Sequence, residues 1–143
     1  MPFTESNAAL SPDGRWVAYQ ANPSGRPEIY VRPFPDVNQG QWQISADGGT
    51  QPLWSRDGRE LFYRNGDGLM VVPIGGDPRT AGRPHQLFTG DYDQGDGRRA
   101  YDAAPDGARF LMIKQAKTQS PARSTITIVE QWRTQFDRLL PMK

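Results

Sequence analysis

The 143-residue sequence has no cysteine and only one histidine, His85. Without cysteine the chain has no disulfide bonds, no thiol nucleophile and no zinc site of the cysteine type. With one histidine, a Ser-His-Asp triad would depend entirely on His85. Because the residues that most common enzyme mechanisms require are missing, the sequence predicts a protein that is not an enzyme, has no catalytic residues and needs no cofactor.

A strong net charge and long apolar runs are also missing. Seventeen basic and 16 acidic residues leave a formal net charge of +1, which is too small to attract nucleic acid or an anionic membrane by itself. No stretch predicts membrane insertion, and the residues after Met1 have neither the basic nor the apolar region of a signal peptide. We expect residues 1–143 to form a single domain that binds neither nucleic acid nor membrane.

Glycine and proline, by contrast, are abundant and evenly spread, with 15 and 13 copies. This distribution is typical of short strands joined by tight turns. A turn sequence recurs as Ser-Pro-Asp-Gly at 11–14, Ser-Arg-Asp-Gly at 55–58 and Ala-Pro-Asp-Gly at 104–107, at spacings of 44 and 49 residues. An apolar segment follows each Asp-Gly pair, which is a strong hairpin signal. The chain is therefore predicted to contain three structural repeats.

The first two repeats match over four predicted strands. Residues 29–34 align with 69–74, and 42–45 align with 85–88. Strands are predicted near 6–11, 15–21, 27–33 and 41–45, and then near 50–55, 59–64, 68–74 and 84–88. The third repeat predicts strands near 99–104, 108–115 and 124–130, followed by a helix over about 130–140 in place of a fourth strand. The helix is indicated by apolar residues at helical spacing, namely Trp132, Phe136, Leu139 and Leu140.

A four-stranded repeat of this length is typical of a β-propeller blade. Residues 10–19 and 53–63 resemble the WD40-like, or TolB-like, repeats of bacteria. Residues 25–35 and 109–114 extend this resemblance, which is nearest to the carboxy-terminal half of TolB-like propellers linked to bacterial serine/threonine kinases. It implies an all-β fold of three blades, over about 6–45, 50–88 and 99–130, which is half of a six-bladed ring. For a longer parent protein it also implies a periplasmic or other extracytoplasmic location.

Several residues invite a catalytic or metal-binding interpretation. Asp13, Asp57 and Asp106 could form a ring of carboxylates, but an aspartate before glycine is explained by hydrogen bonds within its turn. His85 aligns with Trp42 and is expected to be a packed or edge-exposed structural residue. The acidic loop over 90–97 lacks the spacing of a calcium loop, so no metal site is predicted. The four tryptophans are assigned to core and inter-blade packing.

The loops provide the remaining functional signal, because propellers bind partners through loops carried on rigid sheets. Connections near 22–27, 45–51, 65–68, 89–99 and 116–124 are predicted to open on one face. The long connection over 89–99 is the preferred contact surface, with a composition suited to protein or peptide ligands. Its predicted contact residues are Tyr92, Arg98, Arg99 and Tyr101.

The leading functional hypothesis is a non-catalytic interaction or scaffold module that forms a homodimer and thereby closes a six-bladed ring. A purely structural interpretation, in which the chain is an engineered or truncated half-propeller, remains open at this point, and so do two others. The chain could be the propeller part of a hydrolase or S9-type peptidase, although it contains no Gly-x-Ser-x-Gly motif, or a truncated sensor domain of a serine/threonine kinase, although no kinase motif occurs.

Overall fold

The computed structural model describes residues 5–115 and 124–130, which form three antiparallel sheets. Blade 1 comprises β1 (Glu5–Leu10), β2 (Trp16–Ala21), β3 (Glu28–Pro33) and β4 (Trp42–Gln43). Blade 2 comprises β5 (Thr50–Trp54), β6 (Glu60–Asn65), β7 (Gly68–Pro73) and β8 (His85–Thr89). Blade 3 comprises β9 (Tyr101–Ala103), β10 (Arg109–Gln115) and β11 (Ser124–Glu130).

This arrangement confirms the predicted all-β fold with three blades. The predicted strands lie close to the observed ones in all three repeats, and blade 3 has three strands in the part that the structure describes. The predicted helix falls outside the described residues, apart from Glu130, which ends β11. No helix among the described residues is long and apolar enough to cross a membrane.

The repeated Asp-Gly turns join the first and second strands of each blade. In blade 1, Asp13 Oδ1 accepts hydrogen bonds from Ser11 Oγ at 2.6 Å and from Arg15 N at 3.0 Å. Asp57 makes the same two bonds in blade 2, with Ser55 Oγ at 2.7 Å and Arg59 N at 3.0 Å. Three glycines follow these aspartates with φ between 67° and 71°, namely Gly14, Gly58 and Gly107. The aspartates are therefore turn residues, as interpreted from the sequence.

Two apolar cores lie between the blades. Blade 1 contributes Ile29 and Val31 to the first core, and blade 2 contributes Leu61 and Tyr63. The second core joins the opposite face of blade 2 to blade 3 and contains Phe62, whose ring meets that of Phe110 edge to face at 5.0 Å. Strand alternation explains why successive residues of β6 enter different cores.

Polar bonds also link β2 of blade 1 to β5 of blade 2, and β5 to the residue that precedes β9 of blade 3. Asn7 and Gln51 occupy equivalent positions three residues before the ends of β1 and β5, and both adopt positive φ at irregularities in strand pairing. Gln20 Oε1 accepts from Gln51 N at 3.0 Å, and Gln51 Oε1 accepts from Ala100 N at 2.8 Å. Blades 1 and 2 therefore each accept a backbone hydrogen bond from the segment that begins the next blade.

Gly58→Val is expected to lower the free energy of unfolding by about 1–3 kcal/mol, because a β-branched residue is strained at positive φ. An added Cβ would lie 3.5 Å from Pro12 Cδ, which is an ordinary contact, so the cost comes from the backbone. Urea denaturation monitored by circular dichroism measures the difference. Arg56→Val, in the same turn and at a residue without positive φ, is the control, and equal stabilities of the two variants would contradict the placement of this hairpin.

Candidate functional site

Several connections between strands lie together on one side of the sheets. Gly49 N donates to Pro27 O at 2.8 Å, which joins the connection after β4 to that after β2. Gly90 N donates to Asp67 O at 3.1 Å, which joins the connections after β8 and β6 in the same way. We call this surface, made of residues 22–27, 44–49, 66–67 and 90–100, the loop face. The predicted connection near 116–124 lies outside the described residues except for Ser124, which begins β11.

The longest segment of the loop face, residues 90–100, is attached to blade 2 by two side chains. Gln51 Nε2 donates to Gln94 O at 2.8 Å, while its Oε1 accepts from Ala100 N. Arg64 Nη1 donates to Asp93 O at 3.3 Å and its Nη2 to Gly66 O at 3.1 Å. The loop is thus held at its middle and at its end, and it offers a fixed surface.

Arg64 supports the loop from within the protein. Its side chain is fully buried, and burial lowers the pKa of its guanidinium. The guanidinium lies 5.9 Å from the ring centre of Tyr92, a cation–π distance. Among the described residues, its Nε has no hydrogen-bond partner. Arg64 therefore positions the loop, and its buried side chain is not accessible to a binding partner.

The four predicted contact residues differ in their accessibility. Arg98 and Arg99 are exposed, while Tyr92 is half-buried and packs against Phe88 at 6.0 Å. Tyr101 is buried in the core between blades 2 and 3, and its hydroxyl donates to Gln51 O at 2.6 Å. Burial also raises the pKa of its phenol. The prediction of Tyr101 as a contact residue is therefore wrong, because the first residue of β9 faces the neighbouring blade.

A second anchored segment of the loop face depends on Glu28, a buried carboxylate at the start of β3. It accepts hydrogen bonds from Ser45 Oγ, from Gly48 N at 2.9 Å and from Arg26 Nη2 at 2.9 Å. Ser45 Oγ also accepts from Ile29 N at 2.8 Å. Three donors compensate the buried charge of Glu28, and the same bonds fix residues 44–49 against the start of β3.

The other candidate groups have local structural explanations. Hydrogen bonds from the turns lower the pKa of Asp13, where Ser11 contributes most, and of Asp57, where the amide of Arg59 contributes most. His85 is exposed on the outer strand β8 and pairs with Val71, as Trp42 pairs with Val31. The predicted equivalence of His85 and Trp42 is therefore confirmed. No cluster of three potential metal ligands occurs among residues 5–115 and 124–130.

Sequence reasoning missed Gln51 and Arg64, the two side chains that hold the loop. Arg64 directly follows the apolar and aromatic residues 61–63 of β6, and a charge next to these residues within the strand was the available signal. Gln51 gives no such signal, because its role follows from a positive φ that only the strand pairing reveals.

Gln51→Glu is expected to weaken the attachment of the loop and to lower the free energy of unfolding by about 1–3 kcal/mol, because a carboxylate cannot donate to Gln94 O and is buried without a counter-charge. Hydrogen exchange of the amides over 91–97 should accelerate. Gln86→Glu, at an exposed position of β8, is the matched control. Unchanged exchange in the Gln51 variant would show that another contact holds the loop.

Solved structures with the same arrangement of strands identify the type of fold. A protein assigned as TolB from Agrobacterium tumefaciens superposes with a TM-score of 0.63 at 16% identity, over 92% of this chain and 47% of that one. The chain has a TolB-like β-propeller fold. It spans about half the length of that structure. No protein-family model matches the sequence, and a search of curated proteins gives no match.

The TolB-like fold is shared with enzymes. An oligogalacturonate lyase from Vibrio parahaemolyticus superposes with a TM-score of 0.58 at 15% identity, over 85% of this chain and 35% of that one. A protein assigned as a 6-phosphogluconolactonase from Bacteroides uniformis gives 0.54 at 18% identity, over 88% and 41% of the two chains. At these identities the likeness concerns the fold alone, so function has to be argued from the residues of this TolB-like propeller.

Proposed function

We propose that this chain is a non-catalytic interaction module, in which two copies close a six-bladed ring and present their loop faces to a protein or peptide partner. The observation that carries the proposal is a difference in exposure between equivalent positions of blades 1 and 3. Because the blades repeat, the exposure of a side chain in a blade that is followed by another can be compared with the exposure of the equivalent side chain in the last blade.

The relevant positions are in the third strand of each blade. In β3, Ile29 and Val31 pair with Gln20 and Ala18, and both are fully buried beneath blade 2. In β11, the equivalent residues Ile126 and Ile128 pair with Ile113 and Leu111. They are 66% and 60% exposed. In blade 1 this apolar face is covered by blade 2. Blade 3 has the equivalent apolar face, and no described residue covers it.

Blade 1 has the matching free face. In blade 2, Leu61 and Tyr63 of β6 are fully buried against blade 1. Their equivalents in β2 are Val17 and Tyr19, which line an open groove of about 240 Å³ together with Arg32. This face is partly covered within the chain, since Arg32 Nε donates to Tyr19 Oη at 2.6 Å and Tyr19 is buried beside Tyr30, whereas Val17 is half-buried. Joining this face to the free face of blade 3 would repeat the contact that blades make within the chain.

A second copy is the occupant that we assign to both faces. Three blades correspond to half of a six-bladed ring, and the chain spans 47% of the TolB-assigned structure. Two copies related by a twofold axis would cover all four free faces at once, and closed symmetry is the usual arrangement of homo-oligomers. Large exposed apolar surface favours such association.

The loop face supplies the interaction surface of this module. Arg98 and Arg99 are exposed at the end of a loop fixed by Gln51 and Arg64. Rigid presentation lowers the entropic cost of binding, and arginine is enriched in protein interfaces. These features support a protein or peptide ligand.

Light scattering coupled to size-exclusion chromatography tests the assembly. We expect a single species of twice the 16.0 kDa chain mass at micromolar concentration. A monodisperse monomer would contradict the closed ring.

Enzyme assays test the non-catalytic part, since the lyase shows that this fold also occurs in enzymes. Turnover of ester, phosphate, peptide and oligogalacturonate substrates is expected to stay at background, and His85→Ala should leave it unchanged. Ser11 and Ser55 donate to turn aspartates, which leaves no activated nucleophile in these turns. Turnover that His85→Ala abolishes would favour the enzyme alternative.

A further inference from the structure

The junction between blades 1 and 2 contains a specific inserted side chain. Trp54, the last residue of β5, is buried, and its Nε1 donates to Ala9 O in blade 1 at 2.9 Å. The turn that follows lies close to blade 1, because a Cβ added to Gly58 would lie 3.5 Å from Pro12 Cδ. Residue 54 is therefore an inserting residue, and residues 9 and 12 belong to the surface that receives it.

The inserting residue and the surface that receives it both have equivalents on the outer blades, the first in blade 1 and the second in blade 3. Counted from the Asp-Gly turns, Leu10 in blade 1 is equivalent to Trp54, and it is 51% exposed. In blade 3, Asp102 and Pro105 are equivalent to Ala9 and Pro12. These two residues line an open groove of about 350 Å³ together with Ala103, Ala104, Arg109, Phe110, Leu111 and Ile128. Thus an exposed inserting residue and an open receiving groove lie on opposite ends of the arc.

The junction between blades 2 and 3 shows how the size of the inserting residue matters. There the equivalent position is Ala103, and a groove of about 190 Å³ remains beside it, lined among others by Leu53 and Phe62. A small side chain thus leaves the receiving groove partly open, whereas Trp54 reaches the backbone of the neighbouring blade. A leucine is large enough to fill apolar space in such a groove.

We propose that Leu10 of one copy inserts into the groove beside Asp102 and Ile128 of a second copy, and that Leu10 thereby sets the alignment of the two chains in the ring. This inference rests on the proposed dimer and adds the contact that defines it. The contact is head to tail, so a closed dimer contains it twice. Gly14 would then lie against Pro105, as Gly58 lies against Pro12.

Site-directed cross-linking tests this contact, because the chain has no cysteine of its own. The double variant Leu10→Cys/Asp102→Cys, treated with a short bismaleimide, should be converted mainly to a covalent dimer on a denaturing gel. Each single variant should remain at the monomer mass, because head-to-tail pairing places residue 10 against residue 102. Leu10→Cys/Arg98→Cys is the control, since Arg98 is exposed on the loop face.

The outcomes separate this inference from the proposed function. If light scattering gives a dimer but the double variant does not cross-link, the Leu10 contact is overturned and the dimer stands. Cross-linking of Leu10→Cys alone would also overturn it, because the contact would then be symmetric. A ladder of larger products would contradict the closed ring, and a monomer in light scattering would overturn both proposals.

Discussion

Ile128→Asp should convert the proposed dimer into a monomer. Ile128 is 60% exposed in the single chain, so an aspartate there costs little before association. In the closed ring the same carboxylate would replace an apolar contact and would be removed from water against the partner, and this loss of hydration is unfavourable. Light scattering at micromolar concentration should show the mass fall from twice the chain mass to the 16.0 kDa of one chain.

Thr89→Asp is the control for this experiment, because Thr89 is exposed on the outer strand of blade 2 and should leave the dimer intact. Circular dichroism should show both variants folded. A dimeric Ile128→Asp protein would mean that the free face of blade 3 takes no part in association.

Phe62→Ala should lower the free energy of unfolding by about 3–5 kcal/mol, the usual cost of removing a fully buried phenylalanine. Phe62 joins blades 2 and 3, and its ring meets Phe110 at 5.0 Å. The substitution removes both the buried area and the aromatic contact. Urea denaturation at one fixed protein concentration measures the loss, since association also contributes to stability.

Phe34→Ala provides the comparison, because Phe34 is 42% exposed and its removal should cost about 1 kcal/mol or less. Similar losses in the two variants would indicate that the junction between blades 2 and 3 contributes little to stability. The predicted difference therefore tests whether the blades are held together mainly by the cores between them.

The strands and turns of this protein could be predicted from sequence because their determinants are local. An aspartate that bonds to its own turn and a glycine at positive φ need no tertiary contact, as Asp57 and Gly58 show. The repeats also align with one another, because all three blades have the same register between their second and third strands. The same local logic correctly assigned the serines and aspartates of the turns to structure.

The candidate site was harder to predict because its determinants lie between blades. Tyr101 reads as part of a polar loop, yet its burial depends on which face of the short strand β9 meets blade 2. Arg64 reads as a surface charge, but residues 90–100 fold over it. The residues around Tyr101 do not reveal its burial. The charge of Arg64 beside apolar strand residues marks an unusual position, but it does not show which loop covers that position.

The polar links between the blades have a geometric consequence. Gln20 accepts from Gln51, and Gln51 accepts from Ala100, so a short side-chain bridge sets the spacing at each of the two junctions between blades. Apolar cores tolerate sliding better than hydrogen bonds do, because hydrogen bonds weaken steeply when their angle changes. Flattening the arc would strain these bridges first. The angle between successive blades is thus set within one chain and would not depend on the proposed second copy.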